Sequence, residues 1–211
     1  MAGIDEVGRG PLAGPVVAAA AVIDRDVAKR KLLKLIDDSK KLELEDREVA
    51  YEAMIASGVV RYAVAEATVE EIDRINILQA TFLAMRRALE ALVQQPGVPL
   101  DVVLIDGNQV PPRLSCRAET IVGGDAASYS IAAASILAKV TRDRYMARLA
   151  ETFPGYGWHT NVGYGSAEHM AALKRLGPTP HHRRSFAPIA RLLSPEFAVD
   201  GTEIVEVVAD D

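Results

Sequence analysis

Apolar and polar positions alternate along this chain in a way that separates strand-like segments from helix-like ones. A short apolar run ends near Asp5, and four further runs have the length and composition of strands: Val16–Ile23, Val59–Ala67, Val102–Ile105 and Arg117–Val122. The first two runs are joined by a turn rich in glycine and proline, which predicts a hairpin-like pair.

Three other segments have helical periodicity or composition. The clearest is Asn76–Val93, where apolar residues recur every three or four positions and share one face. The alanine-rich segment Asp125–Thr152 predicts a long helix, with Asp125 near its N-terminus as a cap. Ser166–Leu176 predicts a third helix, ended by a Gly-Pro pair. Antiparallel strands followed by alternating strands and helices predict an α/β fold, a mixed sheet flanked by helices with a helical C-terminal region.

Length and composition fit one soluble domain of ordinary kind. The chain has 211 residues, of which 49% are hydrophobic and 25% charged. No run approaches the roughly 18 apolar residues that a membrane span requires. The first residues lack the pattern of a signal peptide, and the single Cys116 excludes an internal disulfide. We expect a cytoplasmic monomer that does not associate with membranes.

The net charge of −5 hides an uneven distribution. Six of the 29 acids lie in residues 195–211, and without them 23 acids face 24 bases. The bases concentrate in two groups: Lys174, Arg175, Arg183, Arg184 and Arg191, and Lys139, Arg142, Arg144 and Arg148. A local basic face of this kind can bind phosphates, although solvated helix faces are the ordinary alternative.

Three acids stand where apolar strands end. Asp5 and Glu6 close the first strand, and Asp106 closes the Val102–Ile105 run. Alternation would point Asp5 and Glu6 to opposite faces of a strand, unless the glycine turn that follows at Gly8 brings them together. An acid at the end of a buried strand needs a compensating cation. Converging carboxylates suit Mg²⁺ or Mn²⁺, which prefer oxygen ligands; caps and turn residues are the ordinary alternative.

Other chemistries have less support in the sequence. The four histidines are not spaced as in zinc sites, and cysteine partners are absent. The spacing of Gly8, Gly10 and Gly14 is not that of a dinucleotide-binding loop, and no Ser-His-Asp or Cys-His arrangement is evident.

Taken together and in order, several short segments resemble the signature of the ribonuclease HII family. The resemblance spans roughly residues 2–190. The segments are Gly3-Ile-Asp-Glu-Val-Gly-Arg-Gly-Pro-Leu-Ala-Gly14, Asp38-Ser-Lys-Lys-Leu42, Asn76-Ile-Leu78, Ile105-Asp-Gly-Asn108, Ala132-Ala-Ala-Ser-Ile-Leu-Ala-Lys-Val-Thr-Arg-Asp143, Gly163-Tyr-Gly165 and His181-His-Arg-Arg-Ser-Phe186.

The resemblance implies a ribonuclease H-like fold and a two-metal site. In the family the acidic pair and the Asp of the Ile-Asp-Gly strand bind the metals, which implies that role for Asp5, Glu6 and Asp106. The fourth acid corresponds to Asp125, although the Lys that the family usually has before it is replaced here. Asp143 is the competing candidate, and we expect it instead to pair with Arg142 or Arg144 on a helix face.

The resemblance also implies how the substrate is read. The Gly8-Arg9-Gly10 turn would contact the 2′-OH at the cleavage position, since glycines let main-chain groups approach a ribose closely. Tyr164 would pack on the following deoxyribose, although the family often has His-Lys where this chain has Asn161-Val162. Four bases are predicted to contact the substrate backbone: Lys40, Lys41, Arg183 and Arg184.

The implied function is an endonuclease that hydrolyses the RNA strand of RNA–DNA hybrids and cuts on the 5′ side of ribonucleotides embedded in DNA. Residues 1–150 would be its catalytic core, 151–194 a helical substrate-binding extension and 195–211 an acidic tail. The alternatives are a hybrid-binding module without turnover, a DNA nuclease of the same fold and a small-molecule-binding α/β domain. Contact with a sliding clamp is left open, because residues 195–211 show no clear clamp motif.

Overall fold

Five strands form one mixed sheet, in which each strand lies where the hydrophobic pattern predicts it. The structure, a computed structural model, describes residues 1–24, 27–36, 42–98 and 100–194. The order across the sheet is β3-β2-β1-β4-β5, with antiparallel pairing from β3 to β1 and parallel pairing from β1 to β5. The strands are β1 Ala2–Val7, β2 Val16–Ile23, β3 Val60–Ala67, β4 Val102–Asp106 and β5 Arg117–Ile121.

Nine helices surround this sheet in the described part of the chain. The predicted helices at Asn76–Val93 and Ser166–Leu176 are confirmed, with Asn76 and Ser166 as their N-caps. The helices are α1 Arg30–Leu33, α2 Leu44–Ser57, α3 Val69–Ile75, α4 Ile77–Val93, α5 Gly124–Ala127, α6 Tyr129–Thr152, α7 Trp158–Asn161, α8 Ala167–Leu176 and α9 Ala187–Leu192.

The single long helix predicted over Asp125–Thr152 is wrong at one point. Ser128 has extended backbone angles, φ −136° and ψ 121°, and separates the short α5 from α6. The break gives Asp125 a helical turn of its own, close to the end of β4, because the main-chain N–H of Gly124 donates to the Asp106 carboxylate. The alanine-rich composition favours helix on both sides of Ser128 and does not encode the break.

The sheet is covered on both faces, as expected for parallel pairing at its centre. Alternate residues of β2 take part in two different cores, one packed against α4 and the other against α2 and α6. The small side chains of β2 and α6, mostly alanine, let α6 approach β1 and β2 closely. Gly3 marks the tightest point, since a Cβ there would overlap the main chain of Ser130 and Ile131.

A third apolar cluster joins the C-terminal helices to the turn between β1 and β2. Leu12 and Ala13 of that turn are buried with Trp158 of α7, Leu173 of α8 and Ile189 of α9. The predicted helical extension therefore packs directly against the glycine-rich turn, which brings residues far apart in sequence to one edge of the sheet.

Some predictions fall on residues outside the described ranges, namely Lys40, Lys41 and the acidic segment 195–211. Within the described ranges, the helices are all too short or too polar to cross a lipid bilayer.

Candidate active site

The parallel pairing of β1 and β4 brings the predicted acids of these strands together. Ile4 is the register partner of Ile105, so Asp5 and Asp106 follow as neighbours at the carboxyl ends of adjacent strands. In-register neighbours share a face of the sheet. Asp5 is 5% exposed, so its carboxylate is held inside the protein rather than in solvent.

Hydrogen bonds fix the carboxylates on strands β1 and β4. Asp5 Oδ1 accepts from the main-chain N–H of Glu6 at 2.7 Å, and the Ser135 hydroxyl of α6 also bonds to this carboxylate. Asp106 Oδ1 accepts from Gly124 N at 2.8 Å, the residue before Asp125. Asp125 is buried in the first turn of α5, and its Oδ1 accepts from the N–H of Ala126 at 3.0 Å. The start of α5 therefore lies beside the end of β4.

Glu6 connects the acids to the glycine turn. It remains within β1, so its side chain alternates with that of Asp5, and its Oε1 accepts from Arg9 Nη1 at 3.2 Å. The Glu6 side chain is 14% exposed and that of Arg9 50%. An ion pair this close to solvent contributes little to stability, but it places the Arg9 side chain beside the acids.

The electrostatics of the acids favour a bound cation. Burial, followed by the negative charges of Glu6 and Asp106, raises the pKa of Asp5 to about 8. Burial also raises the pKa of Glu6, although the nearby Arg9 opposes the rise. A divalent ion would relieve this repulsion, and oxygen ligands are those that Mg²⁺ and Mn²⁺ prefer.

The chemistry of the acids therefore fits a divalent ion, but their side chains are not gathered into a ready-made ion site. Within the ranges that the structure describes, no three acidic, histidine or cysteine side chains lie close enough together to hold a metal ion. A cleft of about 440 Å³ opens beside Asp125, with Lys34, Ser128 and Tyr129 among its walls. Of the four acids, Asp125 alone lines this cleft, so a ligand can approach that carboxylate from there.

Asp143 lies in a different environment from Asp125. Its carboxylate forms ion pairs with Lys139 at 2.8 Å and with Arg47 at 3.8 Å. The expected pairing with Arg142 or Arg144 is wrong, because Arg142 points into the protein and Arg144 binds glutamates of α2. Asp143 is therefore already neutralised by two bases on the α2–α6 side of the molecule.

Two buried arginines hold the turn between β1 and β2 from within. Arg183 donates to the carbonyl oxygens of Gly8, Arg9 and Gly14, and Arg142 donates to those of Ala13, Pro15 and Val162. Both side chains are 0% exposed. A direct contact between Arg183 and substrate phosphates does not fit this position, since its donors are used inside the protein. The assignment of Arg142 to an exposed basic group is wrong for the same reason.

Tyr164 stands against the glycine turn. Its ring is 48% exposed, and its Cε1 lies 3.3 Å from the point where a Cβ on Gly10 would be. The two loops are joined by the N–H of Leu12, which donates to Gly163 O at 2.8 Å. Tertiary contacts thus bring together the two features that the sequence suggested for reading a sugar.

The predicted base Arg184 has an exposed side chain, and its main-chain N–H donates to Asp73 at 2.9 Å. Its guanidinium is available to a ligand, unlike that of Arg183. Lys40 and Lys41 are not among the described residues.

A pair of buried histidines supports the Tyr164 loop and was not foreseen as a unit. Thr179 N donates to His182 Nδ1, so His182 carries its proton on Nε2 and donates to His169 Nε2 at 3.0 Å. Trp158 Nε1 donates to the same His169 atom, and His169 Nδ1 therefore donates to Tyr164 O at 2.8 Å. The run of four polar residues from His181 to Arg184 was the available sequence signal, since polar side chains are buried only with partners.

These histidines make the stability of the protein sensitive to acid. Burial, and then the charge of His169, lowers the pKa of His182 to about 3, and burial lowers that of His169. A group with a lowered pKa contributes stability that is complete above its ordinary value of 6.5 and is lost as pH falls towards 3. We expect His182 to contribute up to about 1.4 kcal/mol per pH unit to the loss of unfolding free energy below pH 6.

Chemical unfolding at pH 7, 6 and 5 measures this slope. The variant His182→Gln, which cannot titrate, should show a shallower slope than the wild-type protein. His159→Gln removes an exposed histidine and should leave the slope unchanged. Equal slopes for the wild type and His182→Gln would contradict the assignment.

Comparison with known proteins places this geometry in context. Residues 2–189 match the family described as Ribonuclease HII. The Ribonuclease HII of Rhodospirillum rubrum is 59% identical over 194 residues, which are 92% of this chain and 87% of that protein. The ribonuclease H2 of Pyrococcus horikoshii OT3 has a TM-score of 0.75 at 27% identity, covering 94% of this chain and 99% of that one. The RNase HII of Archaeoglobus fulgidus, solved in complex with PCNA, has a TM-score of 0.67 at 26% identity, covering 92% and 96%.

Proposed function

This chain belongs to the ribonuclease HII family and is an endoribonuclease that acts on RNA–DNA hybrids; on that premise, we propose that it also cuts duplex DNA on the 5′ side of an embedded ribonucleotide. Hydrolysis would leave a 3′-OH and a 5′-phosphate. The acids that make the cut and the turn that recognises the sugar would then act on one nucleotide.

The observation that carries this proposal is the continuity between acids and turn. Only one residue separates Glu6 from Gly8, and the Glu6–Arg9 ion pair spans the junction. The exposed Tyr164 ring flanks Gly10 at the far end of the turn. In this arrangement the ribose of one nucleotide would contact the turn, and the sugar of the following nucleotide would pack on Tyr164. The phosphate of the first nucleotide would then point towards the acids.

The residues that would hold two divalent ions are Asp5, Glu6, Asp106 and Asp125. When bound, Mg²⁺ or Mn²⁺ supplies an activated water and stabilises the leaving oxygen. We favour Asp125 over Asp143 as the fourth acid, because Asp125 adjoins the residue that binds Asp106, whereas Asp143 is paired with Lys139 and Arg47. A hydroxyl from Ser135 keeps the Asp5 carboxylate oriented.

Further contacts would come from the C-terminal extension, residues 151–194, which contributes Tyr164. We assign phosphate contacts to the exposed bases Arg9 and Arg184 and to Lys40 and Lys41. Contacts with phosphates position a nucleic acid without reading its sequence. Within this scheme the extension binds the substrate, and residues 1–150 carry the chemistry.

The decisive experiment compares a duplex that carries one ribonucleotide in DNA with an all-DNA control. We expect Mg²⁺- or Mn²⁺-dependent cutting of the first alone, with the break on the 5′ side of the ribonucleotide and a 3′-OH end. Cutting of the all-DNA duplex would favour a DNA nuclease of the same fold. Binding without metal-dependent turnover would favour a hybrid-binding module.

The same assay includes one variant and its control. Tyr164→Ala should lose about 5- to 150-fold in kcat/KM, since stacking on an aromatic ring is worth about 1–3 kcal/mol. Leu176→Ala removes an equally exposed side chain at the end of α8 and should leave the rate unchanged. Equal rates for the two variants would remove Tyr164 from the substrate site.

A further inference from the structure

Arg183 is a buried cation that binds only main-chain oxygens. Its guanidinium donates to the carbonyls of Gly8 at 2.5 Å, Arg9 at 2.9 Å and Gly14 at 2.8 and 2.9 Å. No acidic side chain in the described part of the chain pairs with it. Burial, together with the charge of Arg142, lowers the pKa of Arg183 to about 9. A buried charge without a counterion is costly, so its position calls for a physical explanation.

The contacts of Arg183 control how two peptide planes of the turn are oriented. The carbonyl and the following N–H of a trans peptide point in opposite directions, and the described chain has no cis peptide. Holding the Gly8 and Arg9 carbonyls towards the interior therefore directs the N–H groups of Arg9 and Gly10 outwards. Both residues are exposed.

These two N–H groups are free to bind a ligand. Among the described residues, neither the N–H of Arg9 nor that of Gly10 donates a hydrogen bond within the protein. They lie between the acid Glu6 and the ring of Tyr164, which contacts the Gly10 position. A sugar hydroxyl placed there could accept from them, as a hydroxyl oxygen has two acceptor lone pairs.

Arg183 is itself fixed from the C-terminal side, so it acts on the turn as an external clamp. Its main-chain N–H donates to Leu12 O at 2.9 Å, and the N–H of Gly14 donates to His181 O at 2.9 Å. Its guanidinium lies 5.1 Å from the centre of the Phe186 ring. The position of the Arg183 guanidinium is therefore set by residues far from the turn in sequence.

We propose that Arg183 is a positioning residue for recognition of the ribose: by holding the Gly8 and Arg9 carbonyls, its guanidinium aims the N–H groups of Arg9 and Gly10 at the 2′-oxygen. The proposal rests on the function proposed above, in that the turn contacts the ribose. A planar fork with five N–H donors can hold several carbonyls at once, whereas a lysine ammonium is a point charge on a flexible stem. Charge alone therefore does not suffice here.

The test uses Arg183→Lys, which keeps the charge and removes the fork. Single-turnover cleavage of the one-ribonucleotide duplex yields a rate constant and an amplitude. We expect the rate constant to fall about 10- to 100-fold at nearly full amplitude, because misplacement by about 1 Å can cost about 100-fold. We also expect weaker discrimination between a ribose and a 2′-fluoro sugar at the cleavage position, whereas the affinity for the duplex stays within about threefold, since phosphate contacts dominate it.

Arg142→Lys is the matched control. Arg142 is equally buried and also donates to three carbonyls, but it does not donate to the carbonyl of Gly8 or to that of Arg9. It should lower the stability and the amplitude, and it should change the rate constant and the sugar discrimination less than Arg183→Lys does. If Arg183→Lys is too unstable to assay, Phe186→Leu loosens the same guanidinium and should shift the rate constant in the same direction.

Two results would overturn the proposal. One is an Arg183→Lys or Phe186→Leu protein whose amplitude falls with an unchanged rate constant and unchanged sugar discrimination. The other is an equal change in discrimination for Arg142→Lys. Failure of the wild-type protein to cut the one-ribonucleotide duplex would instead count against the proposed function, so the two failures are distinguishable.

Discussion

Replacing Asp5 by asparagine is expected to reduce the rate of RNA-strand cleavage by more than about 100-fold. Mutating a residue that only supports a metal ligand already lowers metal affinity or activity by about 10- to 100-fold, and Asp5 would be a ligand itself. The substitution removes a negative charge from the buried end of β1 without changing the volume of the side chain. The amide oxygen of the new side chain can still accept from the main-chain N–H of Glu6, so the strand end should stay intact. The measurement is the cleavage rate of an RNA–DNA hybrid at saturating Mg²⁺ or Mn²⁺.

The same substitution should stabilise the protein in the absence of metal. The pKa of Asp5 is raised to about 8, so the folded wild-type protein retains a proton that the unfolded chain releases above its ordinary value of 3.8. Without metal, the contribution of Asp5 to the free energy of unfolding is therefore at its maximum below about pH 4 and is lost as pH rises towards 8. At pH 8, Asp5→Asn should be more stable than the wild type by about 1–3 kcal/mol in the presence of a chelator.

Asp101→Asn is the control for both effects. It makes the same chemical change at an exposed residue just before β4, at the end of the strand opposite Asp106. We expect it to leave the cleavage rate and the metal-free stability unchanged. A folded Asp5→Asn protein that cleaves at the wild-type rate would exclude Asp5 from the active site.

Gly8→Ala is expected to destabilise the protein by about 3 kcal/mol or more, since strained backbone and an overfilled interior each cost about 1–3 kcal/mol. Gly8 has φ +90°, a conformation that residues with a side chain rarely adopt. A Cβ there would overlap Arg142 Nε and lie 2.6 Å from Arg142 Cδ and 2.9 Å from Pro15 O. Arg142 cannot yield easily, because three carbonyls hold its guanidinium.

Thermal unfolding measures this loss, and we expect the melting temperature to fall by about 6–12 °C for a chain of this size. Gly58→Ala is the control, because Gly58 has φ +67° at the end of α2 and nothing within 4 Å of its Cβ position. The free energy of unfolding of Gly58→Ala should fall by only about 1–2 kcal/mol, which is the cost of the left-handed conformation alone. Equal losses for the two variants would mean that the turn yields to a methyl group and is not clamped by Arg142.

The positions of the acids at the ends of strands were predictable because they depend on local patterns. A buried strand is recognisable from a short apolar run, and Asp5 and Asp106 follow such runs directly. That Asp5 and Asp106 meet depends on the parallel pairing of β1 with β4, a contact between distant segments that the local pattern does not encode. Asp125 was predicted from the family resemblance, and its helical turn is separated from α6 by a break at Ser128 that the composition does not reveal.

The role of Arg183 could not be predicted in the same way. A run of histidines and arginines has the same polarity whether it faces solvent or the interior, and only partners distant in sequence decide between the two. For Arg183 those partners are carbonyls of residues 8, 9 and 14, which lie 169 to 175 positions away. The same reason explains why Arg142 was assigned to an exposed basic face.

By itself the sequence determined the strands, the helical segments that contain α4, α5, α6 and α8, the acids at the strand ends, the glycine turn and the family. These features follow from local hydrophobic pattern, chain stiffness and motif order, which need no knowledge of distant contacts. Only the tertiary structure decided which polar side chains are buried and what they hold, including Arg183, Arg142 and the His169–His182 pair. A buried charge or imidazole is tolerated only where the fold supplies hydrogen-bond partners, and those partners come together only when the C-terminal helices pack against the first turn of the chain.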